Sequence, residues 1–564
     1  MRVTRLLPLV SALVVIGVSA TAAQTAEAPM DLVVARAASA GERPNVIIAY
    51  RAGSESRLRT YFEKDVIRGE FPNGMAVHLR SRTVRELAQH PDILNISIDA
   101  PVSGQQVSLP VGTPSPTQDI QNLRATLGIS ANQTGAGIGI AIIDSGVVPS
   151  PDLDASIKAF YDFTNGRQIP TTRNDQYGHG THVAGLIVGS GARSGGKYVG
   201  VAPGARLTII KVLDAQGHGN TSDVIRALEF VRLNHVQLGI DIVNISLGHP
   251  VYEPAATDPL VQAVDRASQA GLVVVTSAGN FGSNPGTGEI GYAGLASPGN
   301  ARSALTVGAV KTFDTVSRMD DELAPYSSRG PTWYDGYTKP DVVAPGYALV
   351  AISDPSTTLY RNAALRASVA PYLKLSGTSM AAAVATGVAA LVLEANRLDL
   401  GSPTLTPNTV KALLQYTSIP VADDGIGTAL EQGAGSLNAA GATSLAYAIN
   451  PGALSGQPWI DHAFTPYTAY AGTTHAWAQN IVWGDNIVWG DTILWNRPAW
   501  ALNIVWGDRM MWGDNIVWGD NIVWGDAAIW VDNIVWGDNI VWGDNIVWGD
   551  NIVWGDVAVT SVAR

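Results

Sequence analysis

Asp144, His179 and Ser379 are the residues of this chain best suited to do chemistry together. They stand in Ile142-Ile143-Asp144-Ser145-Gly146, in Gly178-His179-Gly180-Thr181-His182-Val183-Ala184-Gly185 and in Ser376-Gly377-Thr378-Ser379-Met380-Ala381. A serine hydroxyl becomes a useful nucleophile beside a general base, and that base needs a carboxylate to hold its tautomer. Carboxylate, imidazole and hydroxyl are the minimum kit for acyl transfer, and here they run in the order Asp, His, Ser.

Taken singly, each has a blander reading. Asp144 closes the apolar run Gly137–Ile143, where a carboxylate commonly caps the following turn. His179 and His182 lie three apart at a helix opening, a spacing that also suits a metal. The HExxH pattern is absent, however, and their neighbours are Gly, Thr, Val and Ala. Ser379 opens an Ala-rich helical run to about Asn396, where serine is a preferred N-cap. The same place sets its Oγ at the positive end of a helix dipole, which favours developing negative charge.

Together the three segments resemble the signature blocks of the subtilisin-like serine peptidases (subtilases), in the same order, over roughly residues 117–445. The resemblance implies that His179 is the general base, Asp144 its orienting partner and Ser379 the nucleophile; His182 is then structural. Asn280, in Ser277-Ala278-Gly279-Asn280, matches the family's oxyanion asparagine, with the Ser379 backbone N–H as second donor. Asn244-Ile245-Ser246-Leu247-Gly248 resembles the family segment that walls the primary specificity pocket and pairs with substrate as an added strand. Ser246, Leu247 and Gly248 are thus expected on one wall and Ala278 and Gly279 on the other, a roomy, mainly apolar pocket. Its floor should lie between Phe281 and Ala301, where Glu289 would instead favour a basic residue. Ala383 and Val384 replace the usual proline and the residue after it, a change that costs little in a first helical turn. The resemblance implies no cofactor for the chemistry. Calcium stays open as a structural ion with no ligands assigned, since the loop Gly189–Lys197 lacks an Asn/Asp-rich insertion. An α/β-hydrolase is disfavoured, because its acid and histidine follow the serine, and here only His462 and His475 lie downstream.

These residues need rigid elements behind them. Gly137–Ile143, Arg206–Val212, Asp241–Ser246 and Leu272–Ser277 are apolar without alternation, as strands buried on both faces are. Ser222–Gln237 and Pro259–Ala270 read as helices between them, so the expected fold is α/β with a parallel sheet covered on both sides. Upstream, Val46–Tyr50, Ser54–Asp65, Val66–Phe71, Met75–Leu79, Ser81–Gln89 and Ile93–Asp99 suggest β-α-β-β-α-β, a ferredoxin-like α+β unit over 44–104. Subtilase propeptides share that architecture and act as folding chaperones and inhibitors. Residues 24–43 read as a flexible spacer and 101–116 as a linker holding a cleavage zone.

Residues 1–23 carry a secretory signal pattern: Arg2 and Arg5, the apolar run Leu6–Val18, and Ala20-Thr21-Ala22. The expected location is therefore secreted or at the cell surface. No later segment reads as long and apolar enough to span a bilayer. The 564 residues exceed one core, and with 15% charged residues and 59 glycines they suit a loop-rich globular protein. A net charge of -12 argues against nucleic acid as a partner; the subtilase resemblance implies protein or peptide substrate, and a monomer is expected. There is no cysteine, so an exported fold must hold by packing, with or without bound ions.

Residues 480–556 hold Asn-Ile-Val-Trp-Gly-Asp in nine identical copies, with degenerate ones at Thr492, Arg509 and Ala527. The unit resembles left-handed β-helix hexapeptides, eighteen residues to a coil, although Trp is large for that interior. A β-solenoid, a binding or anchoring tail of short hairpins, and a tail ordered only on contact all fit. Exposed Trp rows would suit a carbohydrate or cell-surface ligand. A non-enzyme reading makes this tail the functional part and the rest a scaffold.

Overall fold

The computed structural model describes residues 28, 30–61, 67–104, 123–164, 170–284, 286–397, 405–421, 428–451, 462–470 and 472–478, together with the backbone of six short strands in the repeats. The signal pattern at 1–23 and most of the expected linker lie outside the described residues.

The N-terminal module comprises α1 (Leu32–Ala40), β1 (Asn45–Tyr50), α2 (Glu55–Leu58), β2 (Ile67–Phe71), β3 (Gly74–His78), α3 (Ser81–Ala88) and β4 (Ile93–Ile98). Its four strands form an antiparallel sheet in the order β2-β3-β1-β4, the arrangement the β-α-β-β-α-β pattern leads one to expect. Helix α1 was not expected, since 24–43 read as a spacer. Asp31 explains it: its carboxylate accepts the N–H groups of Val33 at 2.7 Å and Val34 at 2.8 Å, and Val34 and Ala38, four apart, are buried in the module's core. Pro101–Gly104, read as linker, is strand β5.

The large module opens with α4 (Leu123–Thr126), β6 (Gly139–Asp144), β7 (Ile157–Asp162), α5 (His179–Val188), β8 (Arg206–Lys211) and β9 (His218–Asn220). There follow α6 (Thr221–Leu238), β10 (Ile242–Ile245), β11 (Leu247–Pro250), α7 (Pro259–Gln269), β12 (Val273–Ser277) and β13 (Ala296–Ser297). Next come β14 (Leu305–Lys311), β15 (Glu322–Leu323), β16 (Val342–Pro345), β17 (Leu349–Ile352), α8 (Thr358–Arg361), β18 (Tyr372–Leu375) and α9 (Thr378–Arg397). Helices α10 (Pro407–Tyr416), α11 (Thr428–Gln432) and α12 (Ala439–Ala448) precede a hairpin, β19 (Tyr467–Tyr470) with β20 (Thr473–Ala476).

The central sheet runs β15-β14-β12-β10-β6-β8-β7, with β16 also on β14, and all its pairs are parallel except β14 with β15. Successive side chains of a strand point to opposite faces, so a doubly covered strand must be apolar at every position. Strand β6 shows this: Ile140 and Ile142 enter the core that holds α5 and α9, while Ala141 and Ile143 enter the core that holds α6 and α7. By length and composition α9 could cross a membrane, contrary to the expectation from sequence, with a mean hydropathy of 1.6 over eighteen residues. In the fold it is the central core helix, packed along β10, β12, β14 and β16.

The large module also extends past the expected boundary at 445. Trp477 is only 4% exposed, stacks on Phe464 and meets Tyr416 edge-on, and its indole N–H donates to Thr468.

In the repeats the described strands are β21 (Ile504–Trp506), β22 (Ile516–Trp518), β23 (Asn521–Trp524), β24 (Ile534–Trp536), β25 (Asn539–Trp542) and β26 (Asn551–Trp554). They pair in parallel with like residues opposite each other. Ile504 faces Ile522, Ile516 faces Ile534 and Asn521 faces Asn539, each three hexads on, while Asn539 faces Asn551, two hexads on.

Candidate active site

Asp144 ends β6 at the carboxyl edge of the central sheet, and His179 begins α5. Two glycines allow them to meet. Gly178 turns the chain at φ 104, and a Cβ on Gly180 would lie 2.3 Å from the Gly146 carbonyl oxygen, so only glycine lets the helix start approach the Asp144 turn. The His179 Nδ1–H donates to the Asp144 carboxylate at 2.8 and 2.9 Å to its two oxygens, and both residues are fully buried. Burial disfavours the charged ring, but the Asp144 carboxylate, by its charge and its hydrogen bond, outweighs it. His179 therefore titrates above the ordinary histidine value of 6.5. Its Nε2, the nitrogen that would take a proton, is buried with no hydrogen-bond partner among the described residues.

Ser379 sits in the first turn of α9, fully buried, and its hydroxyl donates to the Ser246 carbonyl at 2.8 Å. The Ser246 hydroxyl donates in turn to the Ser379 carbonyl at 3.1 Å, which ties the end of β10 to the start of α9. Beside them the Asn280 Oδ1 accepts the Thr378 N–H at 3.0 Å and the Thr378 hydroxyl at 3.1 Å. Its amide nitrogen is buried and has no partner among the described residues.

The expected pocket residues fall on β11 and just past the ends of β10 and β12. Leu247 and Gly248 lie in β11, whose outer end pairs with Ala296 and Ser297 of β13. Ala278 donates its N–H to Val307 and accepts that of Ala296, and Gly279 donates its N–H to the Thr378 hydroxyl. Between β11 and β9 lies β5, antiparallel to both: Gly104 faces Leu247, Ser103 faces Gly248 and His218, and Val102 faces Gly219. A strand of the chain itself thus fills the groove beside His179.

The model of the subtilase family matches residues 135–442, the stretch that holds Asp144, His179, Asn280 and Ser379. This chain belongs to the subtilase family. It is 40% identical over 287 residues to the serine protease AprX of Bacillus subtilis, covering 50% of this subtilase and 61% of that protein. It is 32% identical over 369 residues to the M-protease of Shouchella clausii, covering 65% and 79%, and 31% identical over 353 residues to subtilisin E of Bacillus subtilis, covering 62% and 76%. In fold it is similar to fervidolysin from Fervidobacterium pennivorans, a keratinolytic enzyme related to subtilisin. There the TM-score is 0.55 at 20% identity, over 77% of this chain and 64% of fervidolysin. The match spans less than two thirds of both AprX and fervidolysin.

Other residues of this subtilase divide by their surroundings. His182 is buried, with Nε2 3.1 Å from both the Leu349 and Leu373 carbonyls, and burial followed by the neighbouring His179 pushes its pKa down to about 3. Glu289 is exposed on the loop after β12, where its carboxylate accepts the Thr287 hydroxyl at 3.1 Å. It therefore forms no buried pocket floor. Beside the loop Gly189–Lys197, the Asp152 carboxylate is taken up by the Arg193 N–H at 2.8 Å and by the Tyr372 hydroxyl. Ala383 and Val384 are buried inside an unbroken α9.

Two supporting residues escaped the sequence reading. Thr378 holds the Asn280 amide, and Asp175 gathers the N–H groups of Tyr177, Gly178 and Thr181 and the Thr181 hydroxyl, which fixes the start of α5. Asp175 had a signal: an Asp four residues ahead of a histidine at a helix start suits an Asx-type cap.

Proposed function

We propose that this subtilase is a secreted serine endopeptidase, made as a precursor whose residues 28–104 are an inhibitory propeptide. The single observation that carries the reading is β5, an added strand between β11 and β9 with Gly104 against the His179 ring. An extended peptide recognised this way gains affinity from main-chain hydrogen bonds and selectivity from alternate side chains. The N-terminal module is also seated on the helices beside the groove. Asp99 accepts the N–H and the hydroxyl of Ser222, both at 2.9 Å, at the start of α6, and Ile47 and Ala76 share a core with α6 and α7.

In the proposed reaction the Ser379 hydroxyl turns from the Ser246 carbonyl to His179. Its Oγ attacks the scissile carbonyl carbon as its proton passes to His179 Nε2, and Asp144 stabilises the imidazolium. The tetrahedral oxyanion is met by the Asn280 amide nitrogen, already buried and oriented by Thr378, and by the Ser379 N–H. His179 then protonates the leaving amine, and water, deprotonated by the same nitrogen, hydrolyses the acyl-enzyme. The chemistry uses these residues alone; calcium enters the proposal as a structural ion, and the repeats as a binding tail for a carbohydrate or cell-surface ligand.

The test is Ser379→Ala. The wild-type protein should label at Ser379 with a fluorophosphonate, hydrolyse casein and lose its first hundred or so residues. The variant should do none of these, and undiminished casein hydrolysis by it would sink the assignment.

A further inference from the structure

The peptide position over His179 has almost no depth. A Cβ built on Gly104 would lie 3.2 Å from His179 Cδ2 and 3.3 Å from both Cε1 and Cγ. Near-equal distances to three ring atoms put it over the face of the imidazole, inside the ~3.5–4.0 Å at which carbon atoms attract. Gly104 is not among the glycines with positive φ, so its backbone would admit alanine, and the contact with the ring alone decides.

Neither partner is free to give way. The ring is fixed by Asp144 on Nδ1, stacks with Tyr177 at 6.4 Å between centroids, and stands on a helix start that meets the Gly146 turn. The strand is paired with β11 at Gly104 and Ser103 and with β9 from Pro101 to Ser103, and Val102, two residues before Gly104 on the same face, is only 1% exposed. Ser103 between them points outward and is exposed.

We propose that the subsite over His179 selects glycine, so that this subtilase takes extended peptides with glycine there and tolerates almost any residue just before it. The proposal rests on the peptidase reading above and names the substrate class of that same site.

The experiment uses the secreted product of the full chain and three internally quenched peptides. One copies residues 98–109; the others carry Gly104→Ala or Ser103→Ala. For the Gly104→Ala peptide kcat/KM should fall by about tenfold or more, the scale a misplaced methyl reaches in a tight site. The Ser103→Ala peptide should stay within about twofold of the parent, as expected for an outward side chain. Equal cleavage of parent and Gly104→Ala peptides overturns glycine selection and leaves the peptidase reading intact. Equal losses with both substitutions overturn it too, as does cleavage of casein but of none of the peptides. Failure to cleave casein or to take up a fluorophosphonate overturns the peptidase reading itself.

Discussion

Thr378 holds Asn280 by its carbonyl end: the backbone N–H and the hydroxyl of Thr378 both reach Asn280 Oδ1, at 3.0 and 3.1 Å. That orientation directs the amide nitrogen away from Thr378 and leaves it buried without a partner among the described residues. An unpaired buried donor is costly in a resting fold, so it is best explained as waiting for charge that develops elsewhere.

Asn280→Ala should therefore lower kcat by about 100- to 1000-fold with little change in KM, a range itself established on a subtilase. Steady-state kinetics decide it: a large KM effect at unchanged kcat would make Asn280 a substrate-positioning residue instead. Thr378→Ala should show the same pattern at smaller size, because it loosens the amide without removing it.

His179 must be neutral to take the Ser379 proton, and its pKa lies above 6.5 because Asp144 outweighs burial. Activity should accordingly rise with pH through that raised value, and the acid limb of kcat/KM should fall above pH 6.5. Asp144→Asn should lower kcat by about 10⁴-fold, as loss of the tautomer-holding carboxylate does in serine proteases. With only the charge of Asp175 left to oppose burial, the acid limb of any residual activity should move down. A limb that stays in place would remove Asp144 from this role.

Glu253 joins the two modules: its carboxylate accepts the side-chain N–H of Asn95 in β4 at 2.7 Å. Burial, then the charge of Asp258, raise its pKa from 4.5 to about 7, although Ser97, Thr257 and Asn95 hydrogen-bond to it. A carboxyl with a raised pKa in the docked state holds a proton that the released state gives up. Docking is then strongest at low pH, weakens as pH rises toward about 7, and is weakened in full above that. Release of the N-terminal module, followed by size exclusion of a Ser379→Ala chain that starts at residue 105 and is mixed with separately made residues 28–104, should rise with pH across that window. Glu253→Gln should flatten the rise; an unchanged profile would place the titrating group elsewhere.

Trp477 bears on where the repeats can be cut off. A chain ending after residue 478 should keep full casein activity and its melting temperature, whereas one ending at 450 loses the buried indole. Removing a buried tryptophan costs about 3–5 kcal/mol, so the shorter chain should melt well below the longer one. Equal melting temperatures would make the hairpin β19–β20 dispensable.

What the sequence by itself determined is the family, the candidate site residues and the frame around them. Asp144, His179, Ser379 and Asn280 stand in short motifs where the neighbouring residues, glycine above all, are constrained by the backbone shape each position needs. The doubly covered strands β6, β10 and β12 were readable because burial on both faces demands apolar side chains at every position. Tertiary structure alone decided what depends on long-range backbone contact. Strand β5 is held in its groove by main-chain pairing, which calls for no particular side-chain pattern, so Pro101–Gly104 looked like linker. The same is true of Thr378 on Asn280, brought together across 98 positions of chain, and of Trp477, whose partners Phe464 and Tyr416 carry no shared period. The glycine over the His179 ring belongs with these. Its meaning lies in a distance of 3.2 Å to a residue far along the chain, and only the folded chain sets that distance.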